Sequence, residues 1–195
     1  MTNKLLFFVL LALCFSGCDM LETHPYDVHI TGERELTNKN IQLIENKMQG
    51  KKTIRFAMIS DTQRWYNSTE DVVKALNARG DIDFVIHGGD QSDFGVTKEF
   101  IMECGTYLTN SRCPTYAFLG NHDCLGTGED AYRAIYGDPN FAFTAGNVRF
   151  ICLNTNAMEY DYSEPVPDFN FIENELNNLS PEIEKNGIRN ARKTF

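Results

Sequence analysis

From residue 54 onward, apolar runs and helical stretches alternate with polar and glycine-rich breaks. Ile54-Arg55-Phe56-Ala57-Met58-Ile59 reads as a buried strand ending at Ser60-Asp61. Thr69 to Arg79 has helical spacing, with Val72, Val73 and Leu76 facing inward and Gly80 as its stop. Asp83 to His87 is the next strand run, ending at Gly88-Gly89-Asp90. Thr97 to Leu108 reads as a helix, and Thr115 to Leu119 as a third strand ending at Gly120-Asn121-His122-Asp123. Strand, helix, strand, helix, strand in steps of this length predicts βαβ units and a parallel sheet, an α/β fold. Upstream, Asn38 to Met48 reads as a helix with Ile41, Leu43, Ile44 and Met48 on its apolar face, broken by Gly50-Lys51-Lys52, and Tyr26 to Ile30 as a short strand. Downstream, Phe141 to Thr144 and Val148 to Asn154 read as strands. A loop at Pro165-Val166-Pro167 then leads to a helix over Phe169 to Leu179 with Phe171, Ile172 and Leu176 inward.

The extreme N-terminus stands apart from this pattern. Lys4 precedes the uninterrupted apolar run Leu5 to Leu13, and Ser16-Gly17 sit directly before Cys18. The run is shorter than the roughly 20 residues a spanning helix needs, and it suits a secretory signal. The small residues before Cys18 resemble a bacterial lipobox. That resemblance implies cleavage after residue 17, a lipid on Cys18, and an exported protein tethered to the cell envelope by that lipid alone. Residues 18–50 then form a lead-in to a domain over 51–180, and 181–195 form an atypical polar tail.

Composition narrows the function. With 42% hydrophobic and 23% charged residues, the 195-residue chain has enough apolar material for a packed core, so disorder is excluded. Eighteen Lys and Arg against 27 Asp and Glu, a formal charge of −9, give no electrostatic footprint for coating nucleic acid. An anionic substrate would need a local cation. Cys104, Cys113, Cys124 and Cys152 form no C-x-x-C pair, which argues against a zinc ribbon or thioredoxin-like site. Export permits a disulfide between Cys104 and Cys113, while free cysteines also serve as small core residues.

The spacing of polar residues carries the chemistry. Asp61 and Asp90 are 29 residues apart, Asp90 and Asn121 are 31 apart, and one βαβ unit takes about 30 residues. All three therefore fall just past the carboxyl ends of three parallel strands, where open α/β sheets bind ligands. Taken singly, each is also what strand-end turns favour. Three in phase, with His122 beside the last, point to oxygen donors converging on a divalent cation. His87, closing its strand, reads as a packed, hydrogen-bonded histidine. Arg64, Trp65 and Tyr66 suit either a pocket floor or core packing.

Asp61-Thr62-Gln63, Gly89-Asp90-Gln91-Ser92-Asp93 and Gly120-Asn121-His122-Asp123 resemble the first three sequence blocks of the calcineurin-like metallophosphoesterases. The likeness covers Ile54 to Leu179. It departs at Gln63, where that family usually has histidine. Manganese-dependent ADP-ribose/CDP-alcohol diphosphatases are similar to this sequence in carrying glutamine there. The resemblance implies a site for two divalent ions, manganese, iron or zinc, with Asp61, Gln63 and Asp90 on one, Asp90 and Asn121 on the other, and Asp90 bridging. It also implies a phosphomonoester or phosphodiester substrate. His122, beside Asn121, is expected to act as proton donor, with Asp93 placed to orient its ring and favour its protonated form. The family continues with strands bearing a further histidine and a Gly-His-x-His block. The tail after Leu179 has neither, so the expectation is an incomplete α/β sandwich with its C-terminal strands missing and its activity impaired. The alternative is a non-catalytic envelope lipoprotein remnant or binding module.

Overall fold

A computed structural model describes residues 24–103, 111–156, 165 and 167–179. Cys18, Cys104 and the 181–195 tail lie outside them. The elements run α1 (Leu36–Met48), β1 (Phe56–Ile59), α2 (Tyr66–Ala78), β2 (Phe84–His87), α3 (Thr97–Met102), β3 (Thr115–Ala117), a 3-10 turn (His122–Cys124), α4 (Gly128–Tyr136), β4 (Phe141–Ala145), β5 (Val148–Cys152) and α5 (Phe169–Asn177). β1, β2 and β3 form a parallel sheet in that order, and β4 and β5 form a separate antiparallel hairpin. The chain is thus an α/β domain with helices flanking a three-stranded parallel sheet, as the alternation of runs predicts.

Period-two alternation along β2 and β3 divides the core in two. Phe84, Ile86 and Tyr116 face α1 and the hairpin, packing with Ile44, Met48, Phe141, Phe143 and Cys152. Ala117, on the other face, joins Leu119, Phe100, Ala131, Tyr132, Ile135 and Tyr136 beneath α3 and α4. The rings of Tyr116 and Phe143 stack with centroids 4.1 Å apart, and the Phe84 ring meets Phe143 edge-on at 5.5 Å.

Several details differ from the pattern. β1 is not buried: Phe56 is 40% and Met58 67% exposed, because among the described residues β1 pairs with β2 alone and lies at the sheet edge. Tyr26 to Ile30 forms no strand. Side chains tie it down instead, with the Thr97 hydroxyl donating to the Asp27 carbonyl (2.9 Å) and the Thr127 hydroxyl to the Tyr26 carbonyl (2.7 Å), while Ile30 enters the core. In α2 the buried residues are Thr69 and Val73, one turn apart, which leaves Val72 at the exposed rim. Leu176 of α5 is also exposed; Arg149 on β5 reaches this helix through Glu175. α4 lies wholly outside the sequence pattern described above. Its Ala131, Tyr132, Ile135 and Tyr136 recur at i, i+1, i+4 and i+5, and all are buried. Cys113 and Cys152 are buried free thiols, and the Cys113 thiol rests on the Ile82 carbonyl.

Candidate functional site

Strand register levels the three carboxyl ends. Ile59 pairs with His87 and His87 with Ala117, so the loops that follow leave the sheet side by side. Asp61 and Asp90 both take left-handed backbone, with φ of 57° and 59°, which is uncommon away from glycine and tends to mark functional turns. The first loop is latched to the second: the Asp61 N–H donates to the Gly89 carbonyl (3.1 Å) and the Gln63 N–H to the Asp90 carbonyl (3.3 Å). The second and third loops meet back to back. A Cβ on Gly89 would lie 2.7 Å from the Gly120 Cα, and one on Gly120 2.2 Å from the Asp90 nitrogen, so both positions require glycine.

Asp123 clamps these two loops. Fully buried, its carboxylate accepts from the backbone N–H groups of Asp90 (2.9 Å), Gln91 (2.9 Å), Ser92 (2.8 Å) and Gly120 (3.0 Å), and from the Ser92 hydroxyl (3.0 Å). Burial pushes its pKa up to about 6, while the Ser92 and Gly120 donors pull the other way. In the sequence Asp123 is only an acid three residues after Gly120; its clamping role comes from the fold.

His122 lies between the second and third loops. Its backbone N–H donates to Asp90 Oδ1 (3.0 Å), and its Nδ1 is 3.0 Å from the Asp93 carbonyl oxygen. A carbonyl only accepts, so Nδ1 carries a proton and Nε2 is left for other chemistry. The Asp93 carbonyl, then the negative charges of Asp90, Asp93 and Asp123, raise the His122 pKa above the ordinary imidazole value, against a desolvation effect that lowers it. The ring is held by the Asp93 backbone carbonyl, not by the Asp93 carboxylate. Glu99 takes the N–H groups of Asp93 (3.2 Å), Phe94 (3.0 Å) and Val96 (3.4 Å), which fixes the loop that presents that carbonyl. The buried Asp93 carboxylate pairs instead with Arg64, 3.0 Å away.

The profile of the calcineurin-like phosphoesterases matches residues 54–188. The chain belongs to this family. Its members are metal-dependent phosphoesterases, hydrolases acting on phosphoester bonds, and generally use divalent metal ions. No curated protein matches the chain.

The side chains at this edge carry oxygen atoms of the kind a hard divalent ion takes. Asp61 and Asn121 are exposed at the edge, and Asp90 and Gln63 half-buried. The Gln63 Oε1 is buried with no hydrogen-bond partner, an arrangement that costs stability unless something fills it. Among the described residues no three His, Cys, Asp or Glu side chains gather as a metal-holding group.

A polar chain runs beneath the edge. The Gly89 N–H donates to His87 Nδ1 (3.2 Å), so His87 Nε2 carries the proton and faces the Thr62 hydroxyl (2.8 Å). Burial lowers the His87 pKa to about 4, keeping the ring neutral, as a packed strand-end histidine should be. Glu103 ends this chain fully buried. Neither of its oxygens meets hydrogen-bond geometry with a partner among the described residues, although the nearby Thr62 hydroxyl favours its ionised form. Burial dominates and pushes its pKa up to about 7. Because that lies above the unfolded value, the folded state holds the extra proton between about pH 4.5 and 7, and stability falls as pH rises through this window. Glu103→Gln should therefore gain on the wild type by about 3 kcal/mol between pH 4.5 and 8, measured by urea unfolding. A pH-independent difference would remove Glu103 as the titrating group.

Proposed function

We propose that this chain is a metal-dependent phosphoesterase acting on a phosphomonoester or phosphodiester at a dinuclear site. Asp61, Gln63 and Asp90 would hold one ion, Asp90 and Asn121 the other. The observation that carries this is the buried, unpartnered amide oxygen of Gln63, set in a loop hydrogen-bonded to Asp90. When bound, two divalent ions (manganese, iron or zinc) supply a nucleophile from water and neutralise charge on the phosphoryl oxygens. The protein contributes position and a proton. The Asp93 carbonyl holds the His122 ring through Nδ1, and protonated Nε2 donates to the leaving-group oxygen. Asp93 adds its charge, which favours the protonated ring.

The neutral amides among the four donors favour a second reading, a phosphate-binding module without turnover. Assays of p-nitrophenyl phosphate and bis(p-nitrophenyl) phosphate with added manganese or zinc, repeated after chelation, separate the two. Metal-dependent turnover supports the enzyme; background rates throughout support the module.

We also propose export to a bacterial cell envelope with lipid on Cys18. The described residues contain no helix long and apolar enough to cross a membrane. Cys18→Ser should move the protein from the detergent to the aqueous phase on phase partition, and unchanged partition would contradict the anchor.

A further inference from the structure

Segments 60–66, 88–95 and 119–125 contain Asp61, Asp90, Asp93 and Asp123, with Arg64 as their sole Lys or Arg. Among these described segments, a phosphate ester approaching the edge meets several carboxylates and one protein cation of fixed charge. Arg64 is also strained: its φ of 66° is left-handed, rare for a long side chain. The Trp65 N–H, donating to the Thr62 carbonyl, closes the turn around it.

The guanidinium reaches the loop after β2, where one terminal nitrogen lies 3.0 Å from Asp93 Oδ1. The second oxygen, Asp93 Oδ2, is buried and has no hydrogen-bond partner, so the pair is not the two-pronged one an arginine can make. The Arg64 side chain is 71% exposed and that of Asp93 4%, so much of the guanidinium stays in water. Helix α2 begins two residues later with no side-chain cap and no acid in its first turn, which adds positive potential at the same place.

We propose that Arg64 binds the substrate's phosphoryl group, exchanging its single contact with Asp93 for a two-pronged contact with phosphoryl oxygens. It thereby selects doubly charged monoesters over singly charged diesters; this role rests on the phosphoesterase reading above. A monoester offers three non-bridging oxygens and up to two charges, a diester two oxygens and one charge. Guanidinium, planar and permanently charged, rewards that difference.

Trp65, the sole tryptophan of the chain and 67% exposed, neighbours Arg64, so its fluorescence can report occupancy. Inorganic phosphate and dimethyl phosphate would be titrated into the purified wild type, Arg64→Gln, Asp93→Asn and the double variant, with and without added manganese. The wild type should bind phosphate in preference to dimethyl phosphate. Arg64→Gln should weaken phosphate binding about 10- to 100-fold and leave dimethyl phosphate binding nearly unchanged. Asp93→Asn should tighten phosphate binding only while Arg64 is present. The double variant, which leaves no unpaired buried charge, should bind phosphate as weakly as Arg64→Gln. Absent phosphate binding by the wild type, equal weakening for both ligands, or no weakening would overturn the role. Arg64-dependent phosphate binding without ester turnover would uphold the role and defeat the phosphoesterase reading. Turnover with phosphate affinity indifferent to Arg64 would do the reverse.

Discussion

Asp90→Asn should abolish most turnover, a loss on the order of 10³-fold or more, equivalent to about 4 kcal/mol of transition-state stabilisation. The substitution isolates charge from shape. Asparagine tolerates the left-handed backbone that Asp90 adopts, and its amide oxygen can still accept the His122 N–H. What disappears is the carboxylate proposed to serve both ions. His122→Ala should behave differently. It should slow turnover by roughly 10²–10⁴-fold while leaving metal content near that of the wild type, because the ring is proposed to move a proton and not to hold an ion. Metal analysis beside the rate assay separates the cases. Equal metal loss in both variants would make His122 a ligand or a structural residue.

Asp123→Ala should be the most destabilising single change at this edge. It strands the N–H groups of Asp90, Gln91, Ser92 and Gly120 and the Ser92 hydroxyl at once, in a place water does not reach. Unsatisfied buried donors cost about 1–3 kcal/mol each, and the loops will relax in part, so about 4 kcal/mol is expected in total. For a chain of this size that lowers the melting temperature by roughly 10 °C. Asp123→Asn should rescue little, since its amide N–H₂ would face donors now served by one of the two oxygens. A melting temperature unchanged in Asp123→Ala would show that the clamp is dispensable.

The three strand-end blocks were legible because a parallel βαβ unit has nearly fixed length, so residues some thirty apart return to the same edge. The glycines were legible as turns, but their cause was not: Gly89 and Gly120 are needed because two loops touch backbone to backbone, a long-range fact. The same limit hid the exposure of Phe56 and Met58, since an apolar run does not reveal whether its strand lies at an edge. Helix α4 has a well-defined apolar face, but at nine residues it falls below the length at which an apolar run is separable as a helix from sequence alone. Spacing along the chain brings Asp93 to His122, but the bonds from Glu99 turn its carbonyl toward the ring while Arg64 takes its carboxylate. The buried Glu103 left no local trace, as its partners come from other segments of the fold.

The strand-end site is tested most directly by counting ions. Manganese titrated into the purified protein, with free ion followed by electron paramagnetic resonance, should show about two ions bound per chain, with the spectrum of a coupled pair. In Asp90→Asn the coupled signal should vanish. Manganese binding in the wild type that is absent, or that is indifferent to Asp90, would contradict a dinuclear phosphoesterase centre at these three loops.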